Sequence, residues 1–431
     1  MRKRYAIIGI SGRSRTFTDN ILNTYKGRAE IVALLDRNHK RMEVFNKEHG
    51  MNIPCYNEKE FNRMITETKP DCAIISTIDA THHTYVIAAL KRNIDAVCEK
   101  PMTVDEKRVR AIIAAKNKSK GNLQITFNAR YQPVHTAIYD MIRNGKIGKP
   151  VHVDFNTYLD TFHGASFFKR WNRYENQGGS LLVHKACHHF DLVNWWLGQK
   201  PVEVFAYGKL NYYNPNSPHN PEKIDGRRCS TCRTKCPYYL RHCSPTGGDS
   251  KDEHLVNFNN PGKNELFGAV DGYYADRCIF DSGIDTWDTF CAIAKYDGGA
   301  MMSFSLNASL PYEGYRLAIN GTEGRIESDC VHGSGGRLPF PKPRPQNIRY
   351  FPLFGEMQTI KVMSKGGGHG GADPLLMKEI FAGKNTKDRA KRFAAVMDGA
   401  MSVLVGVAAR TSLKTGRPVK IADLLNERRQ R

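Results

Sequence analysis

Residues 178–191 read Gly-Gly-Ser-Leu-Leu-Val-His-Lys-Ala-Cys-His-His-Phe-Asp, a spacing suited to handling protons. A helix over Val183–Trp195 is expected there, and residues three or four apart share a helical face. His184, His188, Asp191 and Trp195 would then form one stripe, with Lys185 beside it. A histidine with a carboxylate three positions on can have its tautomer fixed and its charged form favoured, as a general base requires. The competing reading is a core or surface helix whose histidines are merely satisfied.

Two other stretches carry chemistry. Tyr158, His163, Lys169, Arg170 and Trp171 fall in one aromatic and basic run, and Arg130 is counted with them and Lys185 as a substrate-binding candidate. Aromatic faces with hydrogen-bonding side chains suit a polyol; interface packing would use the same residues. Lys100, Lys169, Arg170 and Lys185 together would suit an anionic group on that substrate. Cys229, Cys232 and Cys236, with Cys243 seven residues on, have the spacing of a four-sulfur structural zinc site. His242 and Cys278 are rival fourth ligands, an iron–sulfur cluster uses similar ligands, and free thiols in a loop are the plain alternative.

The elements that must position these groups begin with Tyr5–Ile10, a short apolar run ending in glycine, as buried parallel strands do. Gly9-Ile10-Ser11-Gly12-Arg13-Ser14 follows, then a helical pattern, then Ile31–Asp36, apolar and closed by an acid. That is an imperfect G-x-G-x-x-G fingerprint, with Ser11 and Ser14 at two glycine positions and Asp36 placed to bond a ribose. Asp36 favours NAD; Arg37 and Arg13 are rivals that would receive the 2′-phosphate of NADP. Strand-like runs at 72–77, 95–98 and 123–126 alternate with helical patterns at 85–91 and 105–118. The order predicts an α/β fold with a Rossmann-type doubly wound parallel sheet, whose crevice lies beyond the strand ends carrying Gly9, Asp36, Thr77, Asp79, Glu99 and Lys100.

From Asn128 the pattern changes. A helix to Arg143, a strand over 151–158 and alternating runs at 289–295, 300–306 and 315–320 predict an α+β domain with a large, mostly antiparallel open sheet. The expected division is 1–127 and 128–431, with a Cys-rich insertion at about 211–280. A last helix is expected over 388–413 as core.

Cys98-Glu99-Lys100-Pro101, Thr77-Ile-Asp79-Ala-Thr-His82 and the 178–191 stretch together resemble the glucose–fructose oxidoreductase / inositol dehydrogenase / MocA family. Asn320–Arg325 and Gly367–Gly371 extend the likeness over nearly the whole chain. The resemblance implies that Lys100 and His188 flank a nicotinamide and the reacting carbinol; the fingerprint loop and strand-end motifs offer Gly9, Ser11, Gly12, Arg13, Asp36, Arg37, Thr77, Asp79, His82, Glu99 and Lys100 as the cofactor-lining candidates. It implies a homo-oligomer joined through the open sheet. His184 stands where the family usually has an acid, and Ile78 where proline is common. The implied activity is hydride transfer between NAD(P) and a secondary alcohol of a sugar, sugar derivative or cyclitol. Transient oxidation that cleaves a glycoside, and a non-catalytic NAD-sensing regulator, remain as alternatives.

At 431 residues the chain has room for two domains, and its formal charge of +21 is spread along its length. The charge therefore points only weakly to nucleic acid. The densest run, Arg428, Arg429 and Arg431, reads as a solvated tail. No apolar run is expected to cross a membrane, and eleven cysteines without an export signal suggest reduced thiols and the cytoplasm.

Overall fold

A computed structural model describes residues 1–234, 236–238, 261–333, 346–363, 368–383 and 388–426. Cys243, His242, Gly367 and the arginines of the C-terminal tail lie outside the described residues. The chain divides into two compact units, one formed by Met1–Thr126, Ser250–Ala275 and Pro374–Ala400, the other by Phe127–Asp249, Asp276–Asp373 and Met401–Arg431.

The first unit holds a six-stranded sheet: β1 (Lys3–Ile8), β2 (Ala29–Leu35), β3 (Cys55–Tyr56), β4 (Cys72–Ile75), β5 (Asp95–Cys98) and β6 (Leu123–Ile125). Their order, β3-β2-β1-β4-β5-β6, with every pair parallel, is that of a doubly wound dinucleotide-binding sheet. All four residues of β4 are buried, because helices cover both faces and leave no polar side to the strand. The strand order reverses between β1 and β4, which opens a crevice at their carboxyl ends. Gly9 stands there with φ +88°, and a Cβ on it would lie 2.8 Å from the Ser76–Thr77 backbone, so only glycine lets the strands close together.

The second unit is built on a nine-stranded sheet: β7 (Pro150–Asp160), β8 (Pro201–Lys209), β9 (Thr289–Tyr296), β10 (Met301–Leu310), β11 (Glu313–Gly321), β12 (Gly324–Gly333), β13 (Asn347–Pro352), β14 (Gln358–Lys361) and β15 (Val419–Lys420). Pairing is antiparallel except between β7 and β10. Strict alternation in β9 puts Phe290, Ala292 and Ala294 inside, and Cys291, Ile293 and Lys295 outside. On the inner face Phe155 and Tyr315 meet the rings of Trp196 and His135. On the outer face Tyr207, Ile293 and Met301 stand exposed.

Three elements differ from expectation. The helix predicted from Val183 is broken: one turn, Leu181–His184, ends at Lys185, and the helix proper is Cys187–Leu197. The Ala186 amide reaches back to Leu181 O, which overrides the good helix propensity of Lys-Ala. The helix expected from Asn128 starts at Pro133, after a 3₁₀ turn over Asn128–Tyr131, since proline suits a first helical position. The last long helix runs Val396–Thr415, and it reaches the length and hydropathy of a membrane span, which the sequence reading did not anticipate. Two thirds of that stretch (67%) is buried, and Gly406, whose Cβ would lie 2.4 Å from Leu182 O, marks tight packing. Core packing accounts for its apolar composition.

Candidate functional site

In the first unit, Ser11 caps the helix Gly12–Asp19 through a reciprocal capping box with Ser14. Asp36, at the end of β2, takes the Ile10 amide on one oxygen (2.6 Å) and the Asn38 amide on the other (2.8 Å). Burial outweighs these bonds and raises its pKa. Both arginines named as phosphate receivers are engaged by carboxylates. Arg13 Nε donates to Glu99 at 2.6 Å, and Arg37 faces Asp271 at 3.6 Å. Burial alone would raise the Glu99 pKa, but Arg13 and Lys100 prevail and lower it. The Lys100 amide donates to Glu99 Oε2, and the buried His82 ring bridges Pro101 O (2.8 Å) and Thr77 O (3.1 Å), with the buried Asp79 three positions before it in the chain. The strand-end motifs are thus tied into one polar network within this unit.

In the second unit, Asp160 closes β7 and caps the helix Thr161–Lys169, accepting the Phe162 and His163 amides at 2.8 Å each. Antiparallel pairing sets Gly314 opposite Tyr158, and so brings Glu313 to the same end of the sheet. His163 Nδ1 lies 2.7 Å from one Glu313 oxygen, and Lys185 Nζ lies 3.8 Å from the other. Burial first, and then Glu313, raise the Asp160 pKa against its amide bonds. Trp171 and Phe167 meet the His184 ring edge-on at 5.5 and 5.4 Å, while Arg170 lies over Phe167. Tyr158 packs edge-on against Tyr312. His163, Lys185, His184, Trp171 and Arg170 are therefore brought together. Ser180, just before His184, holds φ +75°, a strained conformation of the kind that collects at functional sites.

Other candidates go elsewhere. Arg130 is 1% exposed and grips Asp191 with two hydrogen bonds of 2.8 and 2.6 Å. This partner of Asp191 was not indicated by its spacing from His188. The His188 ring is edge-on to Phe127 at 6.1 Å. Lys169 is 2% exposed and donates to Tyr238 O at 2.6 Å. It lines a small cavity with Cys229, Cys232, Cys236 and Cys278, which the antiparallel bridge between Arg228 and Arg277 brings together.

The zinc expectation is not supported: among the described residues no group of three or more His, Cys, Asp or Glu is placed to hold a metal ion. The thiols make separate contacts, Cys232 Sγ to Thr234 O at 3.1 Å and Cys229 Sγ to Tyr238 O at 3.9 Å, and Cys243 is outside the described residues. Sequence reasoning missed Glu313 and Asp160. Asp160 had a signal, an acid directly before a helical run; Glu313, 150 residues from His163, had none.

Residues 3–127 match the model of an oxidoreductase family, NAD-binding Rossmann fold (Gfo/Idh/MocA), and residues 139–421 match that family's C-terminal alpha/beta domain. The protein YteT of Bacillus subtilis (strain 168), whose name calls it an oxidoreductase, is 44% identical over 429 residues, 98% of each chain. Inositol 2-dehydrogenase of Rhizobium meliloti (strain 1021) is 28% identical over 178 residues, 41% of this chain and 50% of that one. An Agrobacterium radiobacter oxidoreductase, solved with NAD+, L-tartaric acid and magnesium, superimposes with TM-score 0.61 at 16% identity, over 99% and 100% of the two chains.

Proposed function

We propose, from the premise that the chain belongs to the Gfo/Idh/MocA oxidoreductase family, that it moves hydride between NAD(P) and a secondary alcohol of a sugar, sugar derivative or cyclitol. The first unit suits a dinucleotide: a glycine-only turn, a capped helix N-terminus for the pyrophosphate and a carboxylate at the end of β2 for a ribose. NAD(P), when bound, supplies the hydride acceptor. The protein supplies the rest. His188 would take the hydroxyl proton of the secondary alcohol as general base, and Lys100 would stabilise negative charge developing on its oxygen.

The observation that carries the substrate class is the cluster of His163, Glu313, Lys185, His184 and Trp171. It combines an aromatic face with part-exposed donors and acceptors, the complement of a polyhydroxylated ring. The charged Lys185 and Arg170 extend this to polyols bearing an anionic group. The exposed outer face of the nine-stranded sheet, with Tyr207, Ile293 and Met301, suits burial against a second copy of the chain. The described cysteines are free thiols, which suits a reducing compartment such as the cytoplasm.

His188→Ala tests the reading. Following reduced-cofactor absorbance across a panel of sugars, cyclitols and sugar acids, turnover should fall about 10²–10⁴-fold. Dinucleotide binding should stay intact. Unchanged turnover removes His188 from the reaction.

A further inference from the structure

The helix Pro261–Asp271 belongs to the first unit, although the chain on both sides of it belongs to the second. It lies on the helix His39–His49, which follows β2 and Asp36. Asn38 Nδ2 donates to Phe267 O at 3.0 Å, the Arg41 guanidinium stacks 4.4 Å from the Phe267 ring centre, and Lys263 pairs with Glu48. At the last residue of the helix, one oxygen of Asp271 accepts the Tyr273 amide at 3.0 Å. The other faces Arg37 at 3.6 Å, where Asp271 is only 9% exposed and Arg37 44%. So the cation directly after Asp36 is neutralised by a carboxylate delivered from more than two hundred residues downstream. Arg13, the other cation near the fingerprint loop, is held by Glu99.

We infer that Asp271 is a specificity determinant for the adenosine ribose. It quenches Arg37 and, with Asp36, makes the end of β2 accept a 2′-hydroxyl and oppose a 2′-phosphate. The inference rests on the reading of this unit as a dinucleotide-binding domain and deepens it: the helix Pro261–Asp271 sets NAD over NADP. A 2′-phosphate there would meet the Asp36 charge with Arg37 already paired to Asp271 and Arg41 laid against the Phe267 ring, and like charges at short range repel even where solvent screens them.

The test is equilibrium binding of NADH and NADPH to the full chain, read by protein fluorescence quenching or calorimetry, independent of turnover. The wild type should prefer NADH. Asp271→Asn should tighten NADPH about tenfold while NADH stays within about twofold. The gain should shrink at about 0.5 M salt. Adding Arg37→Ala to Asp271→Asn should abolish it. An unchanged NADPH to NADH ratio in Asp271→Asn overturns the inference, as does a gain that survives loss of Arg37. If Asp271→Asn does not fold, Arg37→Ala alone decides: NADPH binding should move by no more than about twofold, since its charge is already spent on Asp271. A large loss of NADPH affinity then overturns the proposal. A wild type that binds neither dinucleotide sinks the functional reading itself, and the specificity proposal with it.

Discussion

Two charged clusters in the second unit use the same kinds of residue and differ in water. Arg130 and Asp191 are sealed, their side chains 2% and 1% exposed, and their hydrogen bonds run two to two. His163, Glu313 and Lys185 are 38%, 21% and 21% exposed, and the Lys185 contact is a loose 3.8 Å. A dry, bidentate pair leaves little for a ligand to join, whereas a part-wet carboxylate between two donors has lone pairs and room to exchange partners. The first is framework; the second has the exposure and the exchangeable partners that the proposed substrate site requires.

The largest effect that would break this distinction is on stability. Asp191→Ala leaves the Arg130 guanidinium buried without its counter-charge, which costs about 3–5 kcal/mol. The urea midpoint should fall accordingly, and Arg130→Met with Asp191→Leu should recover much of the loss, because a well-packed apolar pair needs no charge compensation. A fall below about 1 kcal/mol in Asp191→Ala would place the pair with ordinary exposed ion pairs.

The complementary substitution is Glu313→Gln. Its stability should stay within about 0.5 kcal/mol of the wild type, as for a part-exposed polar residue. The value of kcat/KM should fall about 10- to 100-fold, the worth of a hydrogen bond to a charged group. Glu313→Asp should restore part of it. A large loss of stability with no loss of catalysis would make Glu313 framework too.

The contrast between these clusters also explains what the amino-acid sequence disclosed. The parallel sheet, Gly9 and Asp36 were legible because strand, turn and terminal acid are adjacent in the chain, and full burial writes itself as an apolar run. The 178–191 stretch was legible as a set of reactive types, but its continuous helix was not. The break at Lys185 goes with the positive φ of Ser180 and the Ala186 amide reaching back five residues to Leu181 O, backbone geometry that side-chain propensity does not register. The pairs that separate framework from chemistry were invisible for a different reason. Arg130 and Asp191 are 61 residues apart, His163 and Glu313 150, and Arg37 meets Asp271 from another region of the chain. No periodicity spans such distances; they exist only once sheet register brings Glu313 beside the end of β7.

His189 lies on the boundary between the two environments and gives the smallest and sharpest test. Its ring is edge-on to Phe155 at 5.0 Å and tilted against Phe304 at 5.5 Å. Desolvation first, then the charges of Lys185 and His135, hold its pKa well below the usual 6.5, with Glu313 opposing. The folded state therefore binds fewer protons than the unfolded one once pH drops below about 6.5, the unfolded value. The contribution to stability is fully present above that pH and is lost on acidification, at a limiting slope of about 1.4 kcal/mol per pH unit for one proton. Between about pH 7.5 and 5.5 the wild-type urea midpoint should fall more steeply than that of His189→Gln, since the other titrating groups are common to both and cancel. In a Glu313→Gln background the slope should persist, because the carboxylate there works against the shift and does not cause it. Equal slopes in wild type and His189→Gln would mean that water reaches His189, and that the dry framework ends before it.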